Sequence, residues 1–209
     1  MIIAIDGPAA AGKGTLARQI ADHLNFHYLD TGSLYRGVGL NVLKSGGDPA
    51  NEADALAAAK KLNHDDLSDS NLRTAKAGQV ASIVAQIPAV RTEILQFQRR
   101  FAHKPPGAVL DGRDIGTIVC PDADIKLFVT ASDEERARRR YAELVARKEL
   151  CDYQTVLDEL RQRDKRDRER LIAPLVPAQD AHLLDTSKLD IEAAFQVAID
   201  IITDTIKGA

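Results

Sequence analysis

The chain has 209 residues, of which 44% are hydrophobic, and its 28 basic residues nearly balance its 31 acidic ones. This length suits one α/β domain with a full core, and the balanced charge provides no general positive field for a nucleic acid polymer. Cys120 and Cys151 stand far apart and outside any His–Cys cluster, which argues against a disulfide framework and a zinc site. The N-terminal apolar run is too short for a signal peptide and no run approaches the roughly 20 residues of a membrane helix, so we expect a cytoplasmic protein without membrane partners.

Short apolar runs alternate with longer helical stretches along the chain. We predict buried strands at Ile2–Ile5, Phe26–Leu29, Ala108–Leu110, Ile125–Val129 and His182–Leu184. We predict helices at Thr15–Leu24, Leu34–Lys44, Ala53–Leu62, Thr74–Ala85, Val90–His103, Asp133–Lys148, Tyr153–Arg170 and Ile191–Ile206, and a loop over the polar run Asp65–Asn71. This alternation predicts an α/β fold with a doubly wound, five-stranded parallel sheet, in which ligands bind beyond the carboxyl ends of the strands.

A glycine-rich string follows the first predicted strand and opens a helix. Its residues are Gly7, Pro8, Ala9, Ala10, Ala11, Gly12, Lys13, Gly14 and Thr15. That setting is typical of a phosphate-binding loop, because glycines let main-chain N–H groups approach the phosphates and the helix points its positive end at them. The alternative is a glycine turn with an exposed lysine. We predict that the string binds ATP and that Lys13 neutralises charge during phosphoryl transfer.

Two further strings follow the second and third strands. The first, Asp30–Arg36, begins a helix with small hydroxyl residues and glycine. It is either a helix cap or an anion site in which Arg36 donates two parallel hydrogen bonds to a phosphate. The second runs from Leu110 to Gly116 and carries Asp111, Arg113 and Asp114. A Gly-Arg-Asp turn also occurs on ordinary surfaces, but parallel strands would bring all three strings to one edge of the sheet.

Basic and acidic residues crowd together between residues 133 and 170. A solvated pair of helices with salt bridges is the default interpretation of such a run. However, Arg163, Asp167 and Arg170 are spaced i, i+4 and i+7, which places them on one helical face. We therefore predict a lid that closes over the reacting phosphates and moves on ligand binding.

These motifs together resemble bacterial cytidylate kinases, within the P-loop nucleoside monophosphate kinases. The resemblance is carried by Gly-Pro-Ala-Ala-Ala-Gly-Lys-Gly-Thr, Asp-Thr-Gly-Ser-Leu-Tyr-Arg, Asp-Gly-Arg-Asp-Ile-Gly-Thr and Arg-Asp-Lys-Arg-Asp-Arg-Glu-Arg, and it spans nearly the whole chain. It implies transfer of the γ-phosphoryl group of ATP to CMP or dCMP in pyrimidine nucleotide metabolism. It also implies a Mg²⁺ cofactor, with Thr15 and Asp111 as candidate ligands.

The resemblance further implies the roles of individual residues. The acceptor phosphate would be held by Arg36, Arg113 and Arg170, and the ribose approached by Thr31, Arg163 and Asp167. Ser82, Arg91 and Asp114 would read the base; the cytosine N4 amine can donate to Asp114, whereas uracil would present an acceptor there. Lys13, Arg113, Arg163 and Arg170 are then the candidate catalytic residues.

Within a single P-loop kinase domain, we predict a core (1–30, 104–132 and 171–209), an acceptor-binding segment (31–103) and a lid segment (133–170), in a monomer. Long members of the family carry a β-rich insert in the acceptor-binding segment, where this chain has only the short polar stretch between Leu62 and Thr74. Two alternatives remain open on sequence alone: a kinase of another small acceptor, such as UMP or shikimate, and a nucleotide-dependent switch.

Overall fold

The structure is a computed structural model that describes residues 1–63, 67 and 70–208. The strands in that part are β1 (Ile2–Asp6), β2 (His27–Asp30), β3 (Ala108–Gly112), β4 (Ile125–Thr130) and β5 (His182–Asp185). The helices are α1 (Lys13–Leu24), α2 (Thr31–Lys44), α3 (Glu52–Lys60), α4 (Ala75–Val84), α5 (Pro88–Ala102), α6 (Asp133–Ala146), α7 (Tyr153–Glu169) and α8 (Ile191–Gly208). The predicted elements are thus confirmed, and their ends differ from the predicted ones by at most three residues.

Two short helical turns escaped prediction. One is a 3-10 turn over Ser70–Arg73, and the other is a π-helical turn over Ile115–Val119. Most of the predicted loop at 65–71 lies outside the described residues. Both turns are shorter than the window over which helical periodicity can be recognised in a sequence.

The five strands form one sheet in the order β2-β3-β1-β4-β5. Strand β1 pairs in parallel with β3 on one side and β4 on the other, and β4 pairs in parallel with β5. All five residues of β1 and of β3 are buried, which explains why they read as continuous apolar runs and not as an alternating pattern. The predicted doubly wound parallel sheet is confirmed, with the glycine loop beyond the end of its central strand.

The chain divides into two compact units: residues 1–29 with 101–209, and residues 30–100. The first, which we call the core unit, holds the sheet with α1, α6, α7 and α8; its hydrophobic core includes Ile3, Ile5, Ile20, Leu127 and Ile202. The second, the helical unit, holds α2 to α4 and most of α5. Its helices α2 and α4 pack so closely that a methyl group on Gly39 would lie 2.7 Å from Cγ2 of Val80. Among the described helices, none is both long enough and apolar enough to span a bilayer.

Candidate active site

The glycine loop connects β1 to α1 in the core unit. Gly7 has φ +150°, and a Cβ atom there would lie 1.9 Å from the carbonyl oxygen of Val129, so only glycine fits against β4. Gly12 caps α1 in the left-handed region at φ 86°, and Ala10 also has positive φ, at 59°. The loop therefore takes the backbone conformations that a phosphate-binding loop requires, and it ends at a helix N-terminus.

Lys13 and Asp111 border the start of α1. Lys13 is buried, whereas Thr15 is exposed. A Cβ atom on Gly14 would lie 3.3 Å from Oδ2 of Asp111, so this carboxylate is held directly against the first turn of α1. Tyr28 donates a hydrogen bond of 3.3 Å to Oδ1 of Asp111. The structure thus brings the strand-end acid beside the glycine loop.

The predicted ligands Thr15 and Asp111 both offer oxygen atoms, the ligand type of Mg²⁺, which commonly binds through one or two carboxylates together with substrate phosphates and water. The carboxylate packed against Gly14 lies where such an ion could meet phosphates held by the loop. Within the described residues there is no group of three or more His, Cys, Asp or Glu side chains that could hold a metal without substrate.

Asp6, the last residue of β1, ties this loop to the Arg113-containing segment. Its two carboxylate oxygens accept hydrogen bonds of 2.8 Å from the main-chain N–H groups of Ile115 and Gly116. Burial raises the pKa of Asp6 to about 7, although the two amide hydrogen bonds act in the opposite direction. Asp6 thus holds the start of the π-helical turn against the end of β1.

Three of the residues predicted to bind the acceptor nucleotide form one ion-pair cluster in the core unit. Arg113 Nε donates a 3.0 Å hydrogen bond to Oδ2 of Asp167, and Arg163 Nε lies 3.9 Å from the same oxygen. Burial alone would raise the pKa of Asp167, but the guanidinium groups of Arg113 and Arg163 outweigh it and hold the pKa below its usual value. Asp167 is therefore a buried carboxylate that orients two arginines.

Arg170 and Asp114 form a second buried pair beside this cluster. Arg170 Nη2 lies 3.4 Å from Oδ1 of Asp114, and the side chains are only 5% and 7% exposed. Arg170 has left the helix: its backbone is extended at φ −62° and ψ 137°, and its Nε donates to the carbonyl of Ala173. The predicted helix thus ends one residue early, since α7 stops at Glu169 and Arg170 is its cap. The guanidinium of Arg170 still lies near Asp167 and helps to lower the pKa of that carboxyl.

In the helical unit, Asp30 caps α2 by accepting a hydrogen bond from the N–H of Ser33, and its other oxygen pairs with Arg36. Gly32 makes this possible, since a Cβ atom there would lie 2.9 Å from Nη1 of Arg36. Nε of Arg36 is buried and has no hydrogen-bond partner among the described residues. The string is a helix cap, and it also leaves a guanidinium donor available to an anion.

The other predicted residues of the helical unit are buried on three of its helices. Thr31 on α2, Ser82 on α4 and Arg91 on α5 are 3%, 4% and 8% exposed. Arg91 lies with its guanidinium carbon 5.7 Å from the centre of the Tyr35 ring. A buried cation and buried hydroxyl groups are polar groups of the kind that fix the orientation of a ligand in a pocket.

Sequence reasoning missed Asp6, Tyr28 and Arg136. Arg136 belongs to the charged run that suggested solvated helices, yet it is 1% exposed. In the sequence it differs from its neighbours Arg138, Arg139 and Arg140 only by its place in the first turn of α6. Only the packing of α6 distinguishes it.

The parallel sheet, the glycine loop after its central strand and the acidic residue at the end of β3 define a P-loop nucleotide-binding protein. The sequence pattern of the family described as cytidylate kinase matches residues 3–204. A cytidylate kinase from Paramagnetospirillum magneticum is 59% identical over 204 residues, covering 96% of this chain and 97% of that protein. One from Bradyrhizobium diazoefficiens is 55% identical over 202 residues, covering 97% and 95%. The chain belongs to the cytidylate kinase family.

Among solved structures, an uncharacterized protein from Eubacterium ventriosum has a similar fold. Its TM-score is 0.57 at 16% identity, and the match covers 97% of this chain and 98% of that one. A likeness at this identity concerns the fold alone.

Proposed function

We propose that this protein transfers the γ-phosphoryl group of ATP to CMP or dCMP, giving ADP and CDP or dCDP, as a step of pyrimidine nucleotide metabolism. The observation that carries the proposal is the family match over residues 3–204, which includes the glycine loop and every arginine assigned above. The buried cluster of Arg113, Asp114, Asp167 and Arg170 supports it, because a protein that only bound ATP would not need a second set of oriented cations.

The donor would be held by the glycine loop. Its N–H groups and the N-terminus of α1 offer hydrogen bonds to the β- and γ-phosphates, and Lys13 adds a positive charge. Thr15 and Asp111 would hold Mg²⁺, which would offset the negative charge of the phosphates. Phosphoryl transfer then depends on in-line positioning and on charge around the transferred group, both of which fixed side chains can provide.

The acceptor phosphate would be bound by Arg36, Arg113 and Arg170, whose planar guanidinium groups can each form two parallel hydrogen bonds with phosphate oxygens. In the structure each of these arginines pairs with a carboxylate, which keeps its guanidinium oriented. The second pKa of a phosphate monoester is near 6, so the acceptor is largely dianionic at neutral pH and needs no general base.

We assign the ribose to Thr31, Arg163 and Asp167, and the base to Ser82, Arg91 and Asp114. The low pKa of Asp167 keeps it an acceptor for a ribose hydroxyl at any physiological pH. Asp114 would accept the N4 amine of cytosine, and uracil would place an oxygen in front of the same carboxylate. Such a desolvated mismatch costs about 1–3 kcal/mol, so we propose preference for CMP over UMP and not absolute exclusion.

We further propose that residues 133–170 act as a lid and that the enzyme works as a cytoplasmic monomer. The lid is supported by the arginines that α6 and α7 carry. Hydrogen exchange in this segment should slow when ATP and CMP are both present, and sedimentation should give the mass of one chain. Unchanged exchange would remove the lid from the proposal without affecting the reaction.

The decisive experiment measures ADP formation with ATP and Mg²⁺ while CMP, dCMP, UMP, AMP, GMP or shikimate is offered in turn, against a control without acceptor. We expect efficient turnover with CMP and dCMP, slower turnover with UMP, and no ADP formation above the control with AMP, GMP or shikimate. Efficient turnover of another acceptor would refute the cytosine assignment, and hydrolysis that needs no acceptor would favour a nucleotide-dependent switch.

The same assay tests whether Asp114 recognises the base. The Asp114→Asn variant should lower the ratio of kcat/KM for CMP to that for UMP by about 5- to 150-fold, which corresponds to the 1–3 kcal/mol mismatch. Asp158→Asn, which alters an exposed carboxylate on α7, is the matched control. An unchanged ratio in Asp114→Asn would show that another group reads the base.

A further inference from the structure

Arg136 on α6 is the most deeply buried cation among the residues described, with 1% of its surface exposed. A charged side chain is buried this completely only where hydrogen bonds and an opposite charge compensate for lost water. Arg138, two residues later, shows the ordinary alternative: its side chain is 69% exposed and pairs within α6 with Glu135. A local salt bridge on the helix surface would therefore not have required the position that Arg136 takes.

The guanidinium of Arg136 joins three segments of the core unit. Nη1 donates a 3.2 Å hydrogen bond to the carbonyl of Ala9, in the middle of the glycine loop. The same nitrogen lies 2.7 Å from Oδ2 of Asp164 on α7, which is 2% exposed. Nε donates a 3.0 Å bond to the carbonyl of Ala131, and Nη2 pairs with Asp133 at the start of α6. Every nitrogen of the group therefore has a partner.

The contact with Ala9 holds a peptide unit of the phosphate-binding loop. In a trans peptide the C=O and N–H point in opposite directions, so fixing the carbonyl of Ala9 fixes the direction of the N–H of Ala10. Ala10 has a positive φ of 59°, a conformation that an alanine keeps only when its surroundings impose it. An N–H that donates to a phosphate also makes the carbonyl of its own peptide unit a better acceptor for Arg136.

The contact with Asp164 reaches the acceptor side. Asp164 lies one residue from Arg163 and three from Asp167, on the helix whose Asp167 orients Arg113. A continuous series of polar contacts thus runs from Ala9 through Arg136 and Asp164 to the helix that carries these groups. Burial raises the pKa of Asp164, and the charge and hydrogen bond of Arg136 oppose this rise.

Stability alone is a weak explanation for this pair. Removing two charges from water offsets much of their attraction, and apolar residues of similar volume often stabilise a core at least as well. A guanidinium that links a ligand-binding loop to α7 can also transmit a movement, because a shift of either segment changes the contacts of the guanidinium with the other.

We propose that Arg136 is a positioning residue that couples occupancy of the glycine loop to the position of α7, so that donor and acceptor strengthen each other's binding. This proposal rests on the proposed function. Coupling of this kind is reciprocal: an ATP analogue should raise the affinity for CMP by the same factor as CMP raises the affinity for the analogue.

The test is isothermal titration of CMP with and without saturating non-hydrolysable ATP analogue and Mg²⁺. In the wild type the analogue should increase the CMP affinity within the range typical of coupled sites, about 5- to 150-fold. Arg136→Lys keeps the charge but lacks the planar fork, and Asp164→Asn keeps the shape of the partner. In both variants the factor should fall to about 2 or less.

Arg138→Lys is the matched control, since it changes an exposed arginine on the same helix and should keep the wild-type factor. A factor of 1 in the wild type, or an unchanged factor in both variants, would overturn the proposal. Loss of the folded state in both variants, seen by circular dichroism, would assign the pair a structural role and would also overturn it. If the acceptor screen identifies a different acceptor, the titration uses that compound, so failure of the CMP assignment is distinguished from failure of the coupling.

Discussion

Burial of the Asp6 carboxyl should make the free energy of unfolding fall as the pH rises from about 4 to about 7. The pKa of Asp6 is raised from 3.8 to about 7, mainly because the group is removed from water. The N–H groups of Ile115 and Gly116 and the charge of Lys13 lower this pKa, whereas the charge of Asp114 raises it further. A group whose pKa is raised in the folded state binds a proton there that the unfolded chain has already released. Its stabilising contribution is complete below pH 4 and is lost as the pH passes 7.

The magnitude follows from the pKa difference. Between pH 5 and pH 8 about two pH units of the transition are crossed, and each unit corresponds to 1.36 kcal/mol, so the contribution of Asp6 should fall by about 3 kcal/mol. In the Asp6→Asn variant this dependence disappears. Asn can accept only one of the two amide hydrogen bonds, so the variant should also lose about 1–3 kcal/mol at a pH where Asp6 is protonated in the wild type.

Urea unfolding of wild type and Asp6→Asn at several pH values between 5 and 8 measures the effect. All other titrating groups are common to both proteins, so the difference between their two free energies isolates Asp6 to a first approximation. The wild type should be the more stable at pH 5, and its advantage should shrink or reverse by pH 8. A difference that stays constant across this range would refute the raised pKa.

Two substitutions test the loop and the acceptor site. Gly7→Ala should destabilise the protein by about 3 kcal/mol or more, because the new methyl group would overlap the carbonyl of Val129. The control Gly46→Ala places its methyl group in open space, although at a positive φ, and should cost about 1 kcal/mol. Equal losses of stability in thermal or urea unfolding would contradict the clash at Gly7. Arg36→Ala should reduce kcat/KM for CMP by about 10- to 100-fold and leave the affinity for ATP within about threefold, with the exposed Lys44→Ala on the same helix unchanged. A matching loss of ATP affinity in Arg36→Ala would move Arg36 out of the acceptor site.

The elements that the sequence predicted well are those whose signal is local. Strands β1 and β3 read as continuous apolar runs because parallel strands are buried on both faces. Helix α6 begins where Ser132 accepts a hydrogen bond from Glu135, as a small hydroxyl residue before a helix predicts. The glycine loop was recognisable for the same reason, since strand, loop and helix follow one another within the first 24 residues.

Helix ends and side-chain environments were harder to predict from the sequence. Helix α7 was expected to include Arg170, but it ends at Glu169, and the side chain of Arg170 donates a hydrogen bond to the carbonyl of Ala173. The π-helical turn after Asp114 depends on Asp6, which is more than 100 residues away in the chain. Contacts of that range leave no periodic pattern in the sequence.

The sequence by itself therefore determined the order of strands and helices, the phosphate-binding loop and the family, because each of these depends on residues that are near neighbours in the chain. Only the tertiary structure decided which of several equivalent charges are buried and paired. Arg136 and Arg138 look alike in the sequence, yet one is enclosed between the glycine loop and α7 and the other is solvated. The physical reason is that burial and ion pairing are properties of the packed helices, which segments distant in the chain create together.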